Sequence, residues 1–209
     1  LTRQEAVGGI PGILNSVNFD SSPGYPLCLN PLGPGKRPYA WKEGEMCHIT
    51  NDFNIVCDDY LKYLLTGDAE GEEFYWLAFS KTELQKKSKV EEHRTRAIYA
   101  GSFIHNTVGR ELFGNLLVNI NNHKGESFIS CNQYSLDLGM MKAYLDEVKV
   151  SDESYIAGDY KNFDQHYVKK FQLKAYEVLW KLMEDATWVS KQTWDRFVDQ
   201  EVNSPIQYG

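Results

Sequence analysis

Apolar side chains return at helical spacing along several stretches of the chain. From Asp52 to Leu65 they fall at Phe53, Val56, Tyr60, Leu61 and Leu64, a stripe down one helix face that Gly67 closes. Val108, Leu112, Leu116 and Ile120 draw a second stripe, and Leu138, Met141, Leu145 and Val148 a third. A further helix is expected to bury Val168, Phe171, Ala175, Leu179 and Leu182. Thr187 is placed to cap a last helix carrying Trp188, Phe197 and Val198. Between these stripes, residues 74–79 (FYWLAF) and 96–103 (RAIYAGSF) suit strands, and a short strand, SYIAG, runs up to Asp159. Residues 1–45 are rich in Gly and Pro, which predicts extended, turn-laden chain without regular helix. The closing NSPIQYG reads as a loop. The class is α+β with helices dominant, and neither repeats nor low-complexity tracts interrupt it.

Composition narrows the picture. At 209 residues, 42 % hydrophobic and 24 % charged, the chain reads as a soluble globular protein of one or two domains. No apolar run reaches the length of a membrane span. No signal-peptide pattern is present, and the chain opens on Leu1 and not on methionine, which suggests a processed product or a piece of something longer. Cys28, Cys47, Cys57 and Cys131 form no C-x-x-C pair and read as reduced, mostly buried thiols of an intracellular protein. A net charge of −7 argues against non-specific nucleic-acid binding over the whole surface. Residues 81–96 depart from that average, with six Lys or Arg against three Glu.

Several segments carry candidate chemistry beside a plainer reading. In AGDYKNFDQHY (157–167), Asp159 either starts a turn or, held at a strand end, ligates a divalent cation. Asp164 either caps the following helix or reads a ligand hydroxyl. The basic run KTELQKKSKVEEHRTR either meets phosphates or forms a solvated face with ion pairs to Glu83, Glu91 and Glu92. SSPGYP (21–26) is either a rigid turn or a backbone-exposing corner that guides an extended ligand. Taken one at a time, each segment favours the plainer reading.

Taken in order, the segments resemble the RNA-dependent RNA polymerases of picorna-like positive-strand RNA viruses. SSPGYP resembles their motif G, where the template enters. KTELQKKSKVEEHRTRAI resembles motif F, the fingers ribbon over the nucleoside triphosphate. FGNLL resembles the helix that follows, and GDYKNFDQ resembles motif A of the palm. The order and the gaps match through most of the chain.

The resemblance implies an incomplete right-hand polymerase: residues 1–150 are fingers-like, with motifs G and F, and 151–209 begin the palm with the motif A strand and following helices. It implies that Asp159 is the catalytic aspartate binding both Mg2+ ions, with Mn2+ as a substitute, and that Asp164 senses the incoming ribose. Lys81, Lys89 and Arg96 match residues along the triphosphate path, and Ser22, Gly24, Tyr25 and Pro26 stand at the template. Gln85 departs from the arginine of many relatives, with Lys86 and Lys87 beside it. Motif B and the Gly-Asp-Asp of motif C are absent, so the sequence reads as a polyprotein fragment, itself inactive, of an enzyme that transfers nucleotides from NTPs to an RNA 3′-hydroxyl. The implied partners are RNA template and primer, nucleoside triphosphates and the remainder of the palm and thumb, with no transmembrane segment. The implied setting is the host cytoplasm at membrane-associated replication complexes. Two rivals remain. A reverse-transcriptase-type palm usually carries a bulky residue where Asp164 stands. A non-catalytic RNA-binding module explains the basic run but not the order of three motifs.

Overall fold

Thr2 starts a helix where composition predicts none. In α1 (Arg3–Gly8), Thr2 and Glu5 form a capping box, each satisfying a backbone donor of the other. Arg3 then reaches out to Asp58 at 2.8 Å, to Glu111 at 2.5 Å and to the Asn54 carbonyl, so this short helix is held by its neighbours and not by propensity. This is a computed structural model, and it describes residues 1–29, 33, 35–68, 74–81, 84, 87–92, 97–122, 134–151, 158, 168–183 and 188–208. Gln85, Lys86, Arg96, Cys131, Asp159, Asp164, Thr187 and the expected SYIA strand residues lie outside the described residues, as does the side chain of Lys89.

A hairpin, β1 (Ala40–Glu43) and β2 (Met46–Ile49), leads into α2 (Asn51–Thr66). Thr50 caps α2 by accepting from Phe53 N at 3.3 Å, and Gly67 ends it at φ 78°. The expected stripe is on the buried face: Phe53, Cys57, Tyr60 and Leu64 are buried, with Val56 and Leu61 at its edges. β3 (Trp76–Ser80) pairs antiparallel with β4 (Ala97–Ala100) across a connection that contains a short helix, α3 (Lys87–Glu91). The strand expected over 96–103 is shorter because Phe103 N donates to Pro23 O at 2.8 Å and begins α4 (Phe103–Asn122). α4 packs on α1 and α2.

Later elements depart further from the sequence reading. α5 (Asp137–Val148) forms, but none of its stripe is buried among the described residues. In α6 (Lys169–Lys181) the buried face is turned: Phe171, Ala175 and the flanking Val168 and Leu182 are exposed, while Tyr176, Leu179 and Trp180 pack inward. The rings decide this phase, since Tyr176 and Trp180 lie 5.8 and 5.9 Å from the Trp194 ring. α7 (Lys191–Asn203) is capped by Ser190, which accepts from Thr193 N at 3.1 Å. Trp188 stands before the helix and donates its indole N–H to Leu112 O at 3.1 Å. The closing segment is a strand and not a loop: β5 (Ile206–Tyr208) runs parallel to β3 on the edge opposite β4. A parallel partner leaves no hairpin signal nearby in the sequence.

Among the described residues two apolar clusters result, one around Phe53, Phe103 and Leu64, the other around Trp194, Phe113 and Met183. Leu112 and Phe197 pack on both and join them. No helix among the described residues is long and apolar enough to cross a membrane.

The three described cysteines are free thiols, but only Cys57 is buried; Cys47 is half-buried and Cys28 exposed. Burial pushes the Cys57 thiol from 9.0 up to about 12 and raises the Tyr60 phenol as well. The unfolded chain therefore releases these protons at lower pH than the folded one. Stability should fall as pH rises from 9 towards 12, by up to about 1.4 kcal/mol per pH unit for each fully titrating group. Melting temperatures measured across this window check it; a flat profile would contradict the burial of these groups.

Candidate nucleic-acid interface

Residues 21–29 make a sharp corner. Ser22 Oγ accepts from Gly24 N at 3.2 Å, Gly24 O accepts from Cys28 N at 2.8 Å, and Pro26 O from Leu29 N at 3.0 Å. Gly24 has φ +67°, and the Tyr25–Pro26 peptide is cis. The corner rests on the junction of β4 and α4. A Cβ on Gly24 would stand 2.6 Å from Gly101 C, 3.0 Å from Ser102 Cα and closer still to the Gly101 carbonyl oxygen. Tyr25 sets its ring edge-on to Tyr75 at 4.8 Å, just ahead of β3. Ser22, Gly24, Tyr25 and Pro26 are thus brought together against the base of the β3–β4 ribbon.

Between corner and ribbon lies a cavity of about 270 Å³. Ser21, Ser22 and Lys36 form its polar wall, Phe79, Ile98 and Tyr99 its apolar one, and Asn106 also lines it. Phe79, Ile98 and Tyr99 are each 38–48 % exposed, far more than a core face tolerates. An apolar, aromatic wall facing polar backbone suits a chain with flat bases on one side and phosphates on the other. A larger opening of about 630 Å³ runs along α5, beside Leu138, Met141 and Leu145, and touches none of the motif residues.

The ribbon register reaches Ser80 opposite Ala97, the neighbours in sequence of Lys81 and Arg96. Lys81 is half-buried at the ribbon's end. Lys87, on α3, pairs with Glu91 at 3.6 Å, both side chains well exposed, so this part of the basic run behaves as a solvated ion pair of little energetic weight. Among the described residues no group of three or more His, Cys, Asp or Glu is placed to hold a metal ion.

Sequence reasoning missed a buried polar chain beneath the corner. Tyr60 Oη lies 2.8 Å from His105 Nδ1, and His105 Nε2 lies 2.7 Å from Glu201 Oε2. In the tautomer whose Nε2–H donates to the Glu201 carboxylate, Nδ1 accepts from the Tyr60 hydroxyl. His105 also stacks on Phe197 at 4.4 Å. No motif links these positions; only the fold brings α2, α4 and α7 to one point. Tyr60→Phe would leave a buried ring nitrogen without its donor and should cost about 2 kcal/mol, or roughly 4–8 °C in Tm. A melt unchanged from wild type would show that water replaces the hydroxyl.

The fold is mixed, with a glycine corner seated against the base of a β-ribbon whose connection holds the basic run. The chain belongs to the viral RNA-dependent RNA polymerases, whose family model matches residues 9–208. It is 27 % identical over 164 residues to the genome polyprotein of Human rhinovirus A serotype 89 (strain 41467-Gallo), a match covering 78 % of this chain and 7 % of the polyprotein. Its fold is similar to the solved Sicinivirus 3Dpol RNA dependent RNA polymerase, with a TM-score of 0.73 at 22 % identity, across 100 % of this chain and 41 % of that one. The chain thus spans less than half the length of either, and the picorna-like resemblance of its motifs agrees with both.

Proposed function

We propose that this chain supplies the fingers (residues 1–150) and the start of the palm (151–209) of a polymerase that copies RNA by adding nucleotides to an RNA 3′-hydroxyl. The observation that carries this reading is the corner at Ser22–Pro26 seated on the β4–α4 junction, with an aromatic-walled cavity opening between corner and ribbon. In this reading Ser22, Gly24, Tyr25 and Pro26 guide the template strand. Lys81, Lys89 and Arg96 neutralise charge on the triphosphate. Asp164 organises the ribose 2′-hydroxyl. Asp159 would hold two Mg2+ ions, for which Mn2+ could substitute; bound, they would stabilise charge on the reacting phosphate. With no metal-holding group among the described residues, that assignment rests on the resemblance at Asp159 alone. Primer, nucleoside triphosphates and the rest of the palm and thumb are the partners, and replication complexes on membranes of the host cytoplasm are the setting.

Cross-linking of single-stranded RNA containing 4-thiouridine to the 209-residue chain tests this reading. Cross-links are expected in residues 21–26 and 97–106, without primer extension by this chain alone. Cross-links that avoid both segments would overturn the corner as a template guide. Templated extension by the chain alone would overturn its reading as part of a larger enzyme.

A further inference from the structure

Lys36 is 9 % exposed, and no carboxylate among the described residues is seen to pair with it. Its ammonium instead donates to Ser22 O at 2.7 Å, Ser21 O at 3.2 Å, Asn18 O at 3.4 Å and the Ser21 hydroxyl. It lies 5.5 Å from the centre of the Phe103 ring. Burial holds it below the ordinary lysine value, so the site opposes the charge that these acceptors require. Backbone groups of Lys36 also bind the fold: its N–H donates to Phe19 O at 2.7 Å, and its carbonyl accepts from Tyr39 N and Ala40 N, each at 3.0 Å. Backbone and side chain together therefore fix Lys36 beneath the corner.

We infer that Lys36 is the positioning residue of the corner: its buried ammonium gathers the carbonyls of Asn18, Ser21 and Ser22 inward and so sets Ser22 and Gly24 for the RNA strand, without touching the strand itself. The proposal rests on the corner's reading as a template guide. A carbonyl oxygen turned towards a strand would repel its phosphates; those of Asn18, Ser21 and Ser22 are instead held on the ammonium. The ion has no spare direction for a phosphate, since an ammonium has three donors and four acceptors already surround it.

The test compares wild type, Lys36→Met and Val198→Ala, the last a cavity in the distant cluster that lowers stability without approaching the corner. Binding of a fluorescent single-stranded oligouridylate is measured against salt concentration, at a temperature where all three are folded, together with amide exchange by NMR. Lys36→Met should weaken binding about tenfold or more, the loss of hydrogen bonds to a charged group. The slope of log affinity on log salt should stay as in wild type. Amides of residues 21–24 should exchange faster while those of α2 stay protected, and Val198→Ala should bind as wild type does. Unchanged binding by Lys36→Met overturns the proposal. So does a slope shallower by about 0.7, the mark of a lost direct phosphate contact. Loss of protection throughout α2 makes Lys36 a residue of the whole fold, and equal weakening by Val198→Ala makes the effect one of stability; either overturns it. A wild-type chain that binds no RNA overturns the template-guide reading itself, which separates that failure from failure of the Lys36 role.

Discussion

Gly24→Ala is expected to unseat the corner at residues 21–29 and to lower stability by about 3 kcal/mol. Two costs combine. A left-handed backbone costs an L-residue roughly 1–2 kcal/mol, and forcing extra volume into a packed site costs roughly 1–3 kcal/mol. Here the obstacle is backbone, that of Gly101 and Ser102, so no side chain can swing aside. For a chain of this size the loss corresponds to a Tm lower by roughly 6–12 °C. Gly12→Ala is the control. Gly12 has a similar φ of +72°, but nothing stands within 4 Å of its missing Cβ. It should lose only the conformational part, about 1–2 kcal/mol. Equal losses in the two melts would mean that the corner does not press on the β4–α4 junction. RNA cross-linking should vanish at residues 21–26 in Gly24→Ala and persist in Gly12→Ala.

The second large effect belongs to Asp159. In a polymerase completed with the rest of its palm, Asp159→Asn should lower turnover by about a thousandfold or more, the size of several kcal/mol of charge stabilisation by a bound metal. Folding should be largely spared, because the amide keeps the size and shape of the carboxylate. Primer extension beside a thermal melt reads both. Near-normal turnover would reduce Asp159 to the turn residue that GDY suggests by itself.

How much of this was legible beforehand depended on how local the cause was. The helix α2 was legible because stripe, cap and terminating glycine all lie within its own residues. The centres of β3 and β4 were legible too, as apolar runs between breakers. α1 was not, because its stability comes from Arg3 reaching Asp58 and Glu111, far along the chain. The phase of α6 was misread because a count of apolar positions ranks Phe171 beside Leu179, whereas the partner ring, Trp194, selects Tyr176 and Trp180. At the site, SSPGYP showed the corner through its motif. Lys36 stayed hidden because its partners are mostly main-chain carbonyls, which every residue carries, and the Tyr60–His105–Glu201 chain stayed hidden because it draws one residue from each of three helices.

The pairing of Trp76 with Ile206 has a bearing on how the protein is born. On the ribosome, β3 emerges long before its parallel neighbour exists, and every helix from α3 to α7 is made in the interval. The hairpin of β3 with β4 can form at once, but one edge of β3 stays open until residues 206–208 have left the exit tunnel. During that wait the nascent chain exposes the open edge of a strand that begins at Trp76 just after Tyr75, a surface that invites chaperones or strand-to-strand association between neighbouring ribosomes. Truncation just before Pro205 should therefore yield a chain that aggregates during synthesis, even though both of its apolar clusters are complete.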